Sequence, residues 1–232
     1  MASFHREDAD GIALVRFDRP PVNAIDLAVT EELGLLASGL ERSPPEALVL
    51  TGTGATFSAG LDLKAVPSYG PAELRTLVLS LNRMVRRLYG LPCPVVAAVN
   101  GHAMAGGLVM ALACDLRIAA DGAARLALSE VNVGIPFPLG PMVVVNDIAG
   151  GVARRDLALF GRVFDPSAAL AAGLVDELVA PDRLLARARE RARELASLKG
   201  YAAIKGQLRA ASLAELDRAI AANDDPIFKA WS

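Results

Sequence analysis

Histidine and cysteine are nearly missing from this chain: of its 232 residues only His5, His102, Cys93 and Cys114 belong to these types. Two isolated histidines argue against a histidine-based metal site. The cysteines are too widely spaced for a CxxC element and sit among apolar neighbours, which reads as buried thiols in a reducing compartment. Positive charge is not in excess either. The net charge is -2 and the pI about 5.8, so no overall positive field is available to hold DNA or RNA. Aromatic residues make up only 5%. No apolar run reaches membrane-spanning length, although mean hydropathy, at +0.37, is high for a soluble protein. The stretch MASFHREDADG carries charge where a secretory signal needs apolar residues, and FKAWS shows no lipidation or peroxisomal signal. The expectation is a cytoplasmic protein that binds neither nucleic acid nor membrane.

What the chain does have is small and apolar. Apolar residues reach 53% against 22% charged, a balance that points to close helix packing or a buried subunit interface. The length suits one main domain with ample core.

Strand and helix signals then recur along the chain. GIALVRFD (Gly11 to Asp18) reads as a strand broken by RPPVNA, and Asp26 can cap a helix running to about Leu40. ALVLT is short and apolar, as a strand buried on both faces is, and TGTGATFSAG reads as its loop. Pro71 to Tyr89 has leucines at helical spacing, and LPCPVVAAVN supplies another strand. An all-apolar helix over Gly106 to Ala113 precedes a strand at Leu116 to Ala119. ARLALSE reads as a strand, VNVGIPFPLGP as a loop, Met142 to Ala172 as helical and VDELV as a last short strand. Two amphipathic helices, PDRLLARARERARELASLKG and ASLAELDRAIAAND, close the chain, their arginines and glutamates forming a solvated face. The local reading is α/β with a helical C-terminal part.

The loop TGTGATFSAG needs a purpose. It begins GxG, but Phe57 holds the place of the last Rossmann glycine and no GxxxxGK follows. Ser58 lacks the first glycine of a nucleophile elbow, since Thr56 stands there. What remains is a turn of small residues whose useful chemistry is its backbone N–H groups. A second turn of that kind, Ala105-Gly106-Gly107, opens the apolar helix, where unsatisfied amides and the positive dipole end can receive an anion. Two convergent peptide donors make an oxyanion hole.

At this point the chain resembles the crotonase, or enoyl-CoA hydratase/isomerase, superfamily. FSAGLDLK, AAVNGHAMAGGLVMALACDLRIA, LALSEVNVGIPFP and AAGLVDELV carry the resemblance in order over nearly the whole chain. The resemblance implies a spiral of ββα units, residues 1–175, and a helical C-terminal region, residues 176–232, serving trimerisation and active-site cover. It implies a homotrimer or dimer of trimers acting on an acyl-CoA thioester, with no cofactor beyond the CoA of the substrate and no metal.

The resemblance also assigns the oxyanion donors to the N–H groups of Leu61 and Gly106. It lays Ala59 and the stretch Leu61, Asp62, Leu63, Lys64 and Ala65 along the substrate, with Val109, Val131 and Phe137 about the acyl group. Asp62 is equally suited to capping the next turn, and Lys64 to a CoA phosphate or to solvent. Phe228 and Lys229 are candidates for touching CoA across a subunit boundary.

Hydratases of the superfamily use two glutamates to activate water. Here Val109 holds the first position and Glu130 the second. Valine neither orients nor deprotonates water. A single carboxylate suits a proton shuttle from C2 to C4 of a 3-enoyl thioester, and a dry pocket of Val109, Val131, Ile135 and Phe137 would raise the Glu130 pKa. The expectation is a 3-enoyl to 2-enoyl-CoA isomerase. The alternatives are a hydratase or another acyl-CoA reaction of the superfamily, and a non-catalytic acyl-CoA-binding subunit.

Overall fold

The computed structural model describes residues 2–229. Its first strands, β1 (Phe4–Ala9) and β2 (Ile12–Phe17), form an antiparallel hairpin. Asp10 and Gly11 at the tip have φ of 52° and 75°, the left-handed pair that a tight hairpin turn requires and that Asp-Gly supplies. No apolar alternation marks β1, whose residues after Phe4 are exposed. The strand is held by its ladder and by Phe4 stacked on Phe17, ring centroids 4.6 Å apart.

From β2 onward the chain winds in similar turns. Each lays a strand in a main sheet, a short strand in a second layer, and a helix. The first turn continues into β3 (Ala24–Ile25) and α1 (Leu27–Arg42). The second is β4 (Ala47–Gly52), β5 (Thr56–Ser58), β6 (Gly60–Leu61) and α2 (Pro71–Gly90). The third is β7 (Val95–Val99), β8 (His102–Met104) and α3 (Gly106–Ala113). The fourth is β9 (Leu116–Ala120) and β10 (Leu126–Ala127), followed by α4 (Glu130–Val133), α5 (Leu139–Ile148), α6 (Gly151–Ala158) and α7 (Pro166–Ala171). β11 (Glu177–Val179) then completes the main sheet, ordered β1-β2-β4-β7-β9-β11 and parallel after the hairpin. This is the ββα spiral that the resemblance implies.

Both faces of the main sheet are covered at its central strands β4 and β7, which is why these two read as unbroken apolar runs. Leu48, Leu50, Val95, Ala97 and Val99 face the core shared with α1, α2, α3 and α5. Ala47, Val49, Val96 and Ala98 face the other way, onto α8 (Leu184–Ala196). α8 presents Leu184, Ala188 and Ala192 at helical spacing, and the small side chains let it lie close to the sheet. Its outer face carries ion pairs, Arg187 and Arg191 with Glu177 among them, as the sequence suggests. α9 (Tyr201–Ala222) packs on α2 and α5 and starts earlier than ASLAELDRAIAAND implies. Its Lys205 and Arg209 are buried on Asp115, 2.7 and 2.8 Å away.

Two local expectations need correction. TGTGATFSAG is not all loop, because it holds β5 and β6, strands too short to show a period in sequence. ARLALSE yields only the two residues of β10; Ser129 stands just before α4, so Glu130 starts a helical turn rather than ending a strand, and VNV belongs to that turn. Expected elements that hold include the Asp26 cap, which accepts from Val29 N at 2.9 Å, and the helix over Gly106 to Ala113. No helix among the described residues is long and apolar enough to cross a membrane.

Candidate active site

Three short parallel strands lie side by side in the order β5, β8, β10. Ser58, Ala103 and Leu126 form one row across them. Leu61 and Gly106 lie three residues beyond their row members, and Glu130 four. Neighbouring strands are about 4.8 Å apart, so the three segments leave the sheet side by side at one rim.

The Leu61 side of that rim is built by β3 and β6. They pair in parallel, with Ile25 opposite Leu61. Asp62 N–H donates to Ile25 O at 2.8 Å. Alternate amides of a strand face opposite ways, so the Leu61 N–H is turned away from β3, and α3 packs on β6. Gly60, at φ 78°, makes the bend. A Cβ on Gly60 would stand 2.7 Å from Met104 O and 2.8 Å from Gly106 N, so only glycine lets the two expected donor turns meet.

The Gly106 side is a helix start. The first bond of α3 runs from Val109 N to Ala105 O, 3.1 Å, so the Gly106 N–H precedes it and points out of the helix N-terminus. Ala105 has φ 49° and ψ -125°, a conformation ordinarily left to glycine that costs about 1–3 kcal/mol. That strain sets the plane of the peptide carrying the Gly106 N–H. At Gly107 a Cβ would lie 2.2 Å from Ser58 O, so glycine there seats the helix end against β5. Leu61 and Gly106 both keep part of their surface accessible.

Glu130 is the unsatisfied member. Its Oε2 is buried and has no hydrogen-bond partner. Burial pushes the pKa from the ordinary 4.5 up to about 7, while the amides of Glu130 and Ser129 pull it part of the way back. Val109 is fully buried in the main core and Phe137 is half-buried against it; Ile135 is half-buried too. Val131 departs from expectation. It is 43% exposed, with Cγ1 beside Gly161, because successive residues of a helical turn point about 100° apart and Glu130 takes the inward direction.

The other expected residues occupy the strip from Ala59 to Ala65. Ala59 N–H is spent on Val22 O at 3.0 Å. Asp62 is a capping carboxylate: its Oδ1 accepts from Lys64 N and Ala65 N at 3.0 and 3.2 Å, and its Oδ2 lies 3.4 Å from Arg19. Burial raises the Asp62 pKa, but these amides and Arg19 outweigh it and hold the group below its ordinary value. Leu63 and Lys64 project into solvent. Ser58 donates to Asn23 O and accepts from Gly60 N–H, which fits a structural hydroxyl. Phe228 lies against the Arg75 guanidinium, 4.3 Å away on α2 of the same chain.

Sequence reading passes over two residues that shape this rim, Arg19 and Asn23. Buried Asn23, at φ 52°, sends its amide to Thr56 O at 2.7 Å and Thr53 O at 3.1 Å, fastening the β5 loop. Asparagine is the residue that tolerates this φ best after glycine, and that is the signal RPPVNA offered. Arg19 Nη1 donates to Ala24 O at 2.7 Å, and its other terminal nitrogen pairs with Asp26.

The family profile described as enoyl-CoA hydratase/isomerase matches residues 7–230. A Thermus thermophilus protein provisionally named an enoyl-CoA hydratase is 40% identical over 192 residues, 80% of this chain and 75% of that protein. Rat mitochondrial enoyl-CoA delta isomerase 1 is 37% identical over 189 residues, 79% of this chain and 65% of that protein. Among solved structures, human mitochondrial Δ3,Δ2-enoyl-CoA isomerase superposes with a TM-score of 0.88 at 29% identity, covering 95% of this chain and 88% of the human one.

Proposed function

Because this chain belongs to the enoyl-CoA hydratase/isomerase family, we propose that it moves the double bond of a 3-enoyl-CoA to the 2-position, with Glu130 as the proton carrier. The observation that carries this reading is a single carboxylate, partly orphaned, with its pKa near 7, where a hydratase of the superfamily needs a second acid in place of buried Val109.

The steps balance without another reactant. Ionised Glu130 takes a proton from C2, and the C–H electrons pass through the thioester to its oxygen, giving a dienolate. The N–H groups of Leu61 and Gly106 bind that oxygen more strongly as its charge grows, which is what accelerates the step. Glu130 then returns the proton at C4, the double bond closes between C2 and C3, and the carboxylate is restored. A carboxylate near pKa 7 is ionised at neutral pH yet basic enough to accept the proton.

Hydration of 2-enoyl-CoA is the second reading, supported by the name of the Thermus thermophilus relative. Supplying 3-enoyl-CoA and 2-enoyl-CoA separately to the purified protein distinguishes them: isomerisation consumes the first and adds no water to the second. Glu130→Gln should retain acyl-CoA binding and lose turnover by about 10²- to 10⁴-fold. Full turnover of that variant would overturn the assignment of Glu130, and binding with no turnover by the unaltered protein would leave a carrier subunit. We further propose that Leu61 to Ala65 lie along the CoA with Ala59 also against the substrate, that Val109 and Phe137 border the acyl chain, and that no cofactor is needed beyond the CoA that the substrate carries. Assembly as a homotrimer or dimer of trimers, through the region 176–232 among others, is supported by exposed Ile204 and Leu208 on α9, 57% and 80% accessible.

A further inference from the structure

We propose that Arg19 is a positioning residue for the Leu61 amide, acting by holding Asp26 and Asp62 together on one guanidinium. This rests on reading that amide as an oxyanion donor. Leu61 is bracketed by Arg19's contacts. On one side Arg19 Nη1 donates to Ala24 O, and Ala24 is the ladder partner of Gly60. On the other, Asp62 takes Arg19 at 3.4 Å while its own N–H bonds Ile25 O.

The remaining guanidinium arm pairs with Asp26, the cap of α1. Arg19, Asp26 and Asp62 side chains are 31%, 16% and 21% accessible, so the contacts are partly shielded from water. Without the cation, two carboxylates on adjacent turns face each other with no counter-ion between them. Their repulsion would push the turn after Leu61 away from β3 and swing the Leu61 N–H off its line toward the Gly106 N–H. An oxyanion donor displaced by about 1 Å loses roughly 10²-fold in rate. The effect falls on the charge developed in the transition state and so on kcat more than KM.

The mechanism predicts a reversal that simple loss of packing does not. Arg19→Gln should lower kcat about 10- to 100-fold with KM changed by no more than a few-fold. Arg19→Lys should recover part of that loss. Asp62→Asn keeps an oxygen for the Lys64 and Ala65 amides, so adding it to Arg19→Gln removes the repulsion and should raise kcat above that of Arg19→Gln alone.

The companion readout is the infrared carbonyl stretch of a bound acyl-CoA carrying a labelled thioester carbonyl. It should move to lower frequency on the unaltered protein and move less on Arg19→Gln. A folded Arg19→Gln with unchanged kcat and unchanged carbonyl shift overturns the proposal. So does a variant whose Tm falls while Arg19→Lys and the double variant give no recovery, since that marks a purely structural role. Absence of any carbonyl shift on the unaltered protein refutes instead the oxyanion reading of Leu61, and this proposal falls with it.

Discussion

The two sides of the active-site rim are built on opposite principles. On the Leu61 and Gly106 side the neighbouring polar groups are engaged: Asn23, Ser58, Asp62 and Arg19 each hold a named partner. On the Glu130 side a carboxylate oxygen is buried with none. A donor must be fixed before charge arrives, because reorganisation during the reaction would consume what the hydrogen bond gives. A base must instead be left incompletely satisfied, because every hydrogen bond to its ionised form weakens its hold on a proton. The contrast assigns rigidity to the donors and an unmet hydrogen bond to the acid.

The sharpest way to break the contrast is to loosen the rigid side. Gly60→Ala places a methyl 2.7 Å from Met104 O and 2.8 Å from Gly106 N, at a φ of 78° that alanine resists. Backbone must yield on both sides, and the Leu61 and Gly106 amides separate. The expected loss is about 10²- to 10³-fold in kcat, the scale of removing one oxyanion donor. Steady-state kinetics on the folded variant check it; wild-type kcat would show that the contact between the two turns is not what aligns the donors.

Titration tests the other side with a smaller effect. Only ionised Glu130 can begin the reaction, so kcat/KM should fall about tenfold per pH unit below an apparent pKa near 7 and level off above it. An acid limb centred near 4.5 would show that the carboxylate is solvated in the working enzyme.

Much of the frame is legible in the sequence because it is local or periodic. α3 is found at its true ends since its apolar run starts at glycines and stops at Cys114. The central main-sheet strands β4 and β7 show as apolar runs because both of their faces are covered. The short strands β5, β6 and β10 leave no such trace, since two or three residues cannot display a period. The roles at the site depend on the resemblance, and what it leaves out is non-local. Arg19 lies 43 residues from Asp62, a pairing that no spacing rule reveals, and Val131 points outward because α4 is a helical turn and not a strand end.

The least of the expected effects is on stability. The folded state binds the Glu130 proton more tightly than the unfolded chain, since burial lifts the pKa from 4.5 to about 7. The protonated side chain therefore gives its full contribution below about pH 4.5, and that contribution is lost as pH rises through about 7. Above that range the folded protein carries a costly ion, by roughly 1–3 kcal/mol after allowing for solvent at a half-buried site. Glu130→Gln removes the ionisation and keeps the shape. It should therefore match the unaltered protein at pH 4 and exceed it at pH 8, by a few degrees in Tm. Equal melting at pH 8 would mean that the carboxylate finds a partner in solution, and the two sides of the rim would then differ less than their hydrogen bonds imply.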